Sequence, residues 1–190
     1  MPKFDYFDAL SQLSVLSSRA VFIACSQIRH STAEEILTLR DLLDESVCEL
    51  ETILFSDFMP PLERASISAC AHSLSRIVES CLEIVTDRLS KNFFGERKNK
   101  EAELCIRLSQ LIEKSTLSLR RVKRPEQMPD LVEFRRLLCE ARAAHTTLQK
   151  KLNFGLYPPS AQRTLCLLGK LRCELAHAFD DIIEVMLTNI

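Results

Sequence analysis

Residues 67–89 read ISACAHSLSRIVESCLEIVTDRL, and the spacing of the apolar residues in this stretch decides the fold class. Ile67, Cys70, Ala71, Leu74, Ile77, Val78, Cys81, Val85 and Leu89 recur every three or four positions. That spacing lines one face of an α-helix, whereas a half-buried strand alternates strictly. No Gly or Pro interrupts the run. The near-heptad seam predicts a long helix that packs in a bundle.

The same period extends in both directions. A first helix is expected from about Phe4 to Arg29, with Leu13, Leu16, Ala20, Ile23 and Ala24 on its inner face. Ser31-Thr32-Ala33-Glu34 has the form of a capping box, and a second helix follows with Ile36, Leu39, Leu43, Val47, Leu50 and Leu54. Pro60-Pro61 opens the third helix, since proline is tolerated where first-turn amides have no partner. After Asn92-Phe93-Phe94-Gly95 a fourth helix is expected from about Arg97, using Leu104, Leu108, Leu111, Ile112, Ser115, Leu119 and Val122. Pro125 and Pro129 mark a joint, with Asp130 as a candidate cap. The fifth helix carries Leu131, Phe134, Leu138, Ala141, His145, Leu148 and Leu152. Gly155 and Pro158-Pro159 lead to the sixth, with Leu165, Leu168, Leu175, Phe179, Ile182 and Met186.

Only 3 Gly and 7 Pro punctuate 190 residues, so the expected fold is all-α, six long helices in two tandem antiparallel three-helix bundles. The Pro pairs at Pro60-Pro61 and Pro158-Pro159 stand 98 residues apart, each heading a long helix. At that offset Ile67 meets Leu165, Ala71 meets Gly169, Glu79 meets His177 and Glu83 meets Asp181. Residues 1–190 are therefore expected to form a single domain of two related units, 1–95 and 96–190.

Composition narrows the setting. The opening Met1-Pro2-Lys3-Phe4-Asp5 has no secretory pattern, and no run approaches the ~20 apolar residues of a membrane span. Eight Cys without close C-x-x-C pairs suit a reducing cytoplasm. The net charge of -1 hides a polarity: 8 Lys and Arg face 14 Asp and Glu in residues 1–95, while the remainder is basic. This asymmetry suits a steered partner or a homodimer. It is too weak for nucleic acid, which is not expected as a partner.

Candidate chemistry lies on polar stripes beside the apolar seams. His72, Ser75, Arg76, Glu79 and Glu83 share a face of the third helix, and Cys173, His177, Asp181 and Glu184 one of the sixth. The second helix adds Asp41, Asp44, Glu45 and Glu49. Carboxylates and imidazoles projected from facing helices are how bundles assemble metal sites. The candidate ligands are Asp44, Glu45, Glu79, Glu83, His177, Asp181 and Glu184, for a divalent or ferric ion. Solvated or salt-bridged faces, and a surface for a partner's basic segment, are the competing readings. Cys173-x-x-x-His177 and Cys70-x-His72 are fragments of a zinc pattern, without the four ligands of a closed site. No nucleophile elbow, phosphate-binding glycine loop or H-E-x-x-H helix is present, so no catalytic residues are assigned and no enzyme is expected. Two basic stretches, Glu96-Arg97-Lys98-Asn99-Lys100 and Arg120-Arg121-Val122-Lys123-Arg124, flank the fourth helix. The second can complement the helix dipole or meet anionic lipid or a transporter loop.

One junction resembles a known family. Phe58-Met59-Pro60-Pro61-Leu62-Glu63-Arg64-Ala65-Ser66-Ile67 is similar to the FITPFDREDI junction of the PhoU-like family, in its DUF47-type branch of phosphate transport regulators. The resemblance implies a non-enzymatic cytoplasmic accessory protein, peripheral to the inner membrane face. Its implied partner is a Pit-type phosphate transporter or a phosphate-sensing kinase. It also implies metal clusters on acidic repeats, from which this chain departs at Arg40, Ser75, Arg76, Cys173 and His177, retaining Asp44, Asp181 and Glu184. A metal-binding bundle using the carboxylate and His ladder is the alternative function.

Overall fold

A computed structural model describes residues 4–26, 32–57, 63–91, 99–122, 130–156 and 160–188. Its helices are α1 (Tyr6–Cys25), α2 (Thr32–Ser56), α3 (Arg64–Lys91), α4 (Lys100–Ser118), α5 (Asp130–Asn153) and α6 (Ser160–Thr188). Among the described residues there is no strand. The all-α expectation of six long helices holds.

The ends of the helices follow from local chemistry. Asp5 accepts the Asp8 amide at 3.2 Å and caps α1. Asn99 takes the amides of Glu101 at 2.9 Å and Ala102 at 3.4 Å, which starts α4 at Lys100 instead of near Arg97. An asparagine there satisfies first-turn amides that have no intrahelical partner. The α5 terminus closes with the Gly155 amide on Leu152 O at 2.9 Å and the Leu156 amide on Lys151 O at 3.0 Å. This reversal puts Gly155 at φ 71, a left-handed conformation that favours glycine. Arg64, in the first turn of α3, donates Nε to Leu54 O at 3.1 Å and Nη2 to Asp57 O, so a cation occupies the carbonyl end of α2. Ser31, Phe58 to Leu62, Pro125, Pro129 and Pro158-Pro159 lie outside the described residues. Asp130 begins α5 with its carboxylate accepting Lys114 Nζ at 2.6 Å.

Four helices form the centre, in the order α1, α3, α6, α4 around a square. α2 lies across α1 and α3, and α5 lies across α4 and α6. Tyr6 Oη donates to Asp57 Oδ2 at 2.9 Å, joining the start of α1 to the end of α2, so the two run antiparallel. Lys114 on Asp130 and His145 on Glu101 fix the same sense for α4 and α5. The α3 seam is buried from Ile67 to Val85, as are Leu165, Leu168, Leu175, Phe179, Ile182 and Met186 of α6. Burying each Leu, Ile or Phe contributes roughly 1.5–3 kcal/mol, so this shared core is the main stabilising term. Phe134 of α5 stacks on Phe179 with centroids 3.7 Å apart and an interplanar angle of 4°. Two faces of the square carry no outer helix, the α3/α6 face and the α1/α4 face.

Candidate functional site

The antiparallel contact of α3 with α6 brings the two polar stripes together. Ser73 donates to Asp181 and receives Arg76 Nη2 at 2.6 Å. Arg76 Nε lies 3.0 Å from Glu174 Oε2, and His177 Nδ1 is 3.9 Å from the same oxygen. Further along, Lys170 Nζ stands 2.6 Å from Glu83 Oε1. At the far end buried Asp87 accepts Thr164 Oγ1 at 2.8 Å and pairs with Arg163 Nε at 3.2 Å. The seven-residue repeat of Ser73, Ser80 and Asp87 keeps this stripe on the α6 side of α3.

The α2 side adds a second set. Glu51 Oε1 pairs with His72 Nε2 at 2.9 Å and accepts Ser68 Oγ at 2.7 Å. Arg40 Nη2 binds Asp41 Oδ1 at 2.8 Å. Asp41, then Glu79 and Asp44, hold the Arg40 pKa above its ordinary value. A guanidinium therefore sits among the carboxylates of α2 and α3, where it opposes a bound cation.

Asp44, Glu45, Glu79, Glu83, His177 and Glu184 are exposed, and Asp181 is half-buried. Among the described residues no three His, Cys, Asp or Glu side chains form a group able to hold a metal ion. Of the seven, Glu83 pairs with Lys170 and Asp181 accepts Ser73, and beside them Glu174 pairs with Arg76. What the face offers chemically is a ladder of alternating charges on rigid helices, suited to registering a complementary polar surface.

Sequence reasoning missed a second polar cluster. Glu101 of α4 is 0% exposed, and both its oxygens lie near His145 Nδ1 of α5, at 3.0 and 3.1 Å. Arg172 Nε of α6 is 3.4 Å from Glu101 Oε1. Burial pushes the Glu101 pKa up, and His145 and Arg172 pull it partly back. The His145 ring lies against α6 at Gly169, where an added Cβ would be 2.9 Å from the ring Cε1. Two signals pointed there: a histidine on an apolar stripe, and a glycine inside a helix that costs about 1 kcal/mol against alanine. Gly169→Ala should gain that ~1 kcal/mol of propensity and lose ~1–3 kcal/mol to overpacking. A lowered urea midpoint with loss of the His145 contact to Glu101, read by NMR, is the expected result.

Two solved structures match this arrangement over almost its whole length. One is described as a PhoU-like phosphate regulatory protein from Shewanella oneidensis MR-1, at TM-score 0.61 and 13% identity, covering 97% of this chain and 96% of that one. The other, a PhoU-like protein from the same organism, gives TM-score 0.55 at 12% identity, covering 96% and 95%. The fold is PhoU-like. No protein-family model matches the sequence, and no curated protein is similar to it. At these identities the likeness is one of fold, and the chain's own residues must supply the rest. Among the described residues, no helix is long and apolar enough to cross a membrane.

Proposed function

We propose that the chain is a non-enzymatic, cytoplasmic regulator of inorganic phosphate transport or phosphate signalling, of the DUF47 type. It acts by docking its α3/α6 face on a transporter or sensor. The observation that carries this reading is end-to-end likeness to a PhoU-like phosphate regulatory protein, with almost none of either chain left over. The ladder supports docking over metal storage, because Lys170 already stands on the candidate ligand Glu83, while Arg40 and Arg76 pair with the neighbouring acids Asp41 and Glu174. The same reading takes residues 1–95 and 96–190 as two related units. It is supported by the pairing of Arg76 with Glu174, which occupy equivalent positions 98 residues apart.

Cells lacking the protein should show altered uptake of labelled phosphate or an altered phosphate-starvation response. Glu79→Arg together with Glu184→Arg should reproduce that phenotype while changing stability by no more than ~0.5 kcal/mol for each exposed site. Unchanged uptake and an unchanged starvation response in the deletion would remove the proposal.

A further inference from the structure

The α1/α4 face differs in chemistry from the ladder on the opposite side. Lys100, Arg107, Lys114 and Arg121 recur every seven residues along α4 and its C-terminal turn, and all are exposed. At 1.5 Å per residue they make a stripe about 32 Å long on one side of the helix. Arg120 reaches across to Asp5, so α1 and α4 share this surface. Arg19 adds another exposed base on α1. Beside the cations lie large apolar side chains in water: Val15 43%, Phe22 56% and Leu117 57% exposed. The acids of α1 and α4 here are few, namely Asp5, Asp8 and Glu103 in the exposed set and the half-buried Glu113, and two acids of α5 border the stripe, Glu133 and Asp130. Arg107 and Lys114 also touch Glu133 and Asp130 at the start of α5, which fixes their reach along the rim.

We infer that this face lies on an anionic membrane surface, the α4 cations against lipid headgroups and Phe22, Val15 and Leu117 dipping into the interface. Cations flanked by exposed apolar side chains on parallel-lying helices are the signature of interfacial binding. A polyanion such as nucleic acid would use the basic stripe and give Phe22 and Leu117 nothing to bury. The inference rests on the membrane-side role proposed above: with the α1/α4 face on lipid, the α3/α6 ladder faces the cytoplasm, open to a part of the partner that projects from the membrane. Its test needs no phosphate, so the two readings fail separately.

The full chain is sedimented with vesicles of phosphatidylcholine alone and with vesicles containing phosphatidylglycerol. Binding is expected only to the anionic vesicles, and it should fall as salt shortens the Debye length. Each Lys or Arg at such a surface is worth about fivefold in partitioning, so Lys100→Gln with Arg121→Gln should weaken binding ~25-fold. These two sites leave the Arg107 and Lys114 pairs to α5 intact. Phe22→Ser should weaken binding with its salt dependence unchanged, and helical circular dichroism confirms that each variant is folded. Equal binding to both vesicle types, no binding to either, or full binding by the double variant would each overturn the inference, as would retention on nucleic acid without vesicle binding.

Discussion

Glu101→Ala should destabilise the protein by about 3–5 kcal/mol, the cost typical of breaking a buried ion pair from one side. The carboxylate is 0% exposed, and its removal strands Arg172, whose side chain is only 13% exposed, without a counter-ion. With total stabilities near 5–15 kcal/mol, the loss is a large fraction of the whole. Glu101→Gln keeps the shape and an acceptor for His145, so its cost should be smaller, about 1–3 kcal/mol. Both are read from urea unfolding at neutral pH. A change under 1 kcal/mol in Glu101→Ala would mean that the cluster is solvated and that α5 is held by apolar contacts alone.

The same residue makes a pH prediction. Burial raises the folded pKa of Glu101 above its ordinary 4.5, and the opposing pull of His145 and Arg172 is the smaller effect. The native state therefore keeps this proton where the unfolded chain has lost it. Its contribution to stability is complete below about 4.5 and is lost as pH rises through the folded value. Glu101→Gln should remove that decline, while Glu101→Ala at neutral pH still suffers from the stranded cation. Burial disfavours the ionised carboxylate, yet Arg172 requires one nearby.

Phe179→Ala is the second large effect. Phe179 is completely buried, and its ring lies flat on Phe134 at 3.7 Å, joining α5 to α6. Truncating a buried Phe costs about 3–5 kcal/mol through lost transfer energy and the cavity left behind. The rings lie face to face, without the offset or edge-on geometry that adds energy beyond area, so burial and packing carry the loss. For a chain of this size each kcal/mol moves the melting temperature by about 2–4 °C, so a drop of roughly 6–20 °C is expected by calorimetry. Phe134→Ala with Phe179→Ala should cost less than the two singles combined, because each single has already lost the stack. Strict additivity would show that the rings are not coupled.

α5 is where the sequence was hardest to read. Its apolar stripe is thinner than that of α3: past Ala141 the stripe runs into His145, half-buried Leu148 and half-buried Leu152. Periodicity placed the helix and its inward face correctly. It gave no reason for a histidine there, since the partner Glu101 stands on another helix 44 residues away. The Asn99 cap was also missed, since the fourth helix was expected from about Arg97, although asparagine before a helical run is a start signal by itself.

Apolar spacing in the chain was enough to determine the helices, their buried faces and the all-α class, because side chains three or four apart must share a face whatever the helix packs against. The polar stripes of α3 and α6 were readable for the same reason. Only the tertiary structure decided what those stripes meet. Whether Asp181 finds a metal ligand, a serine or an arginine depends on helix order and register, and here Ser73 of α3 reaches it. Charge–charge energies fall with distance and depend on burial, neither of which a linear sequence carries. That is why Glu101, His145, Gly169 and Arg172, scattered over α4, α5 and α6, became one cluster only once the helices were packed.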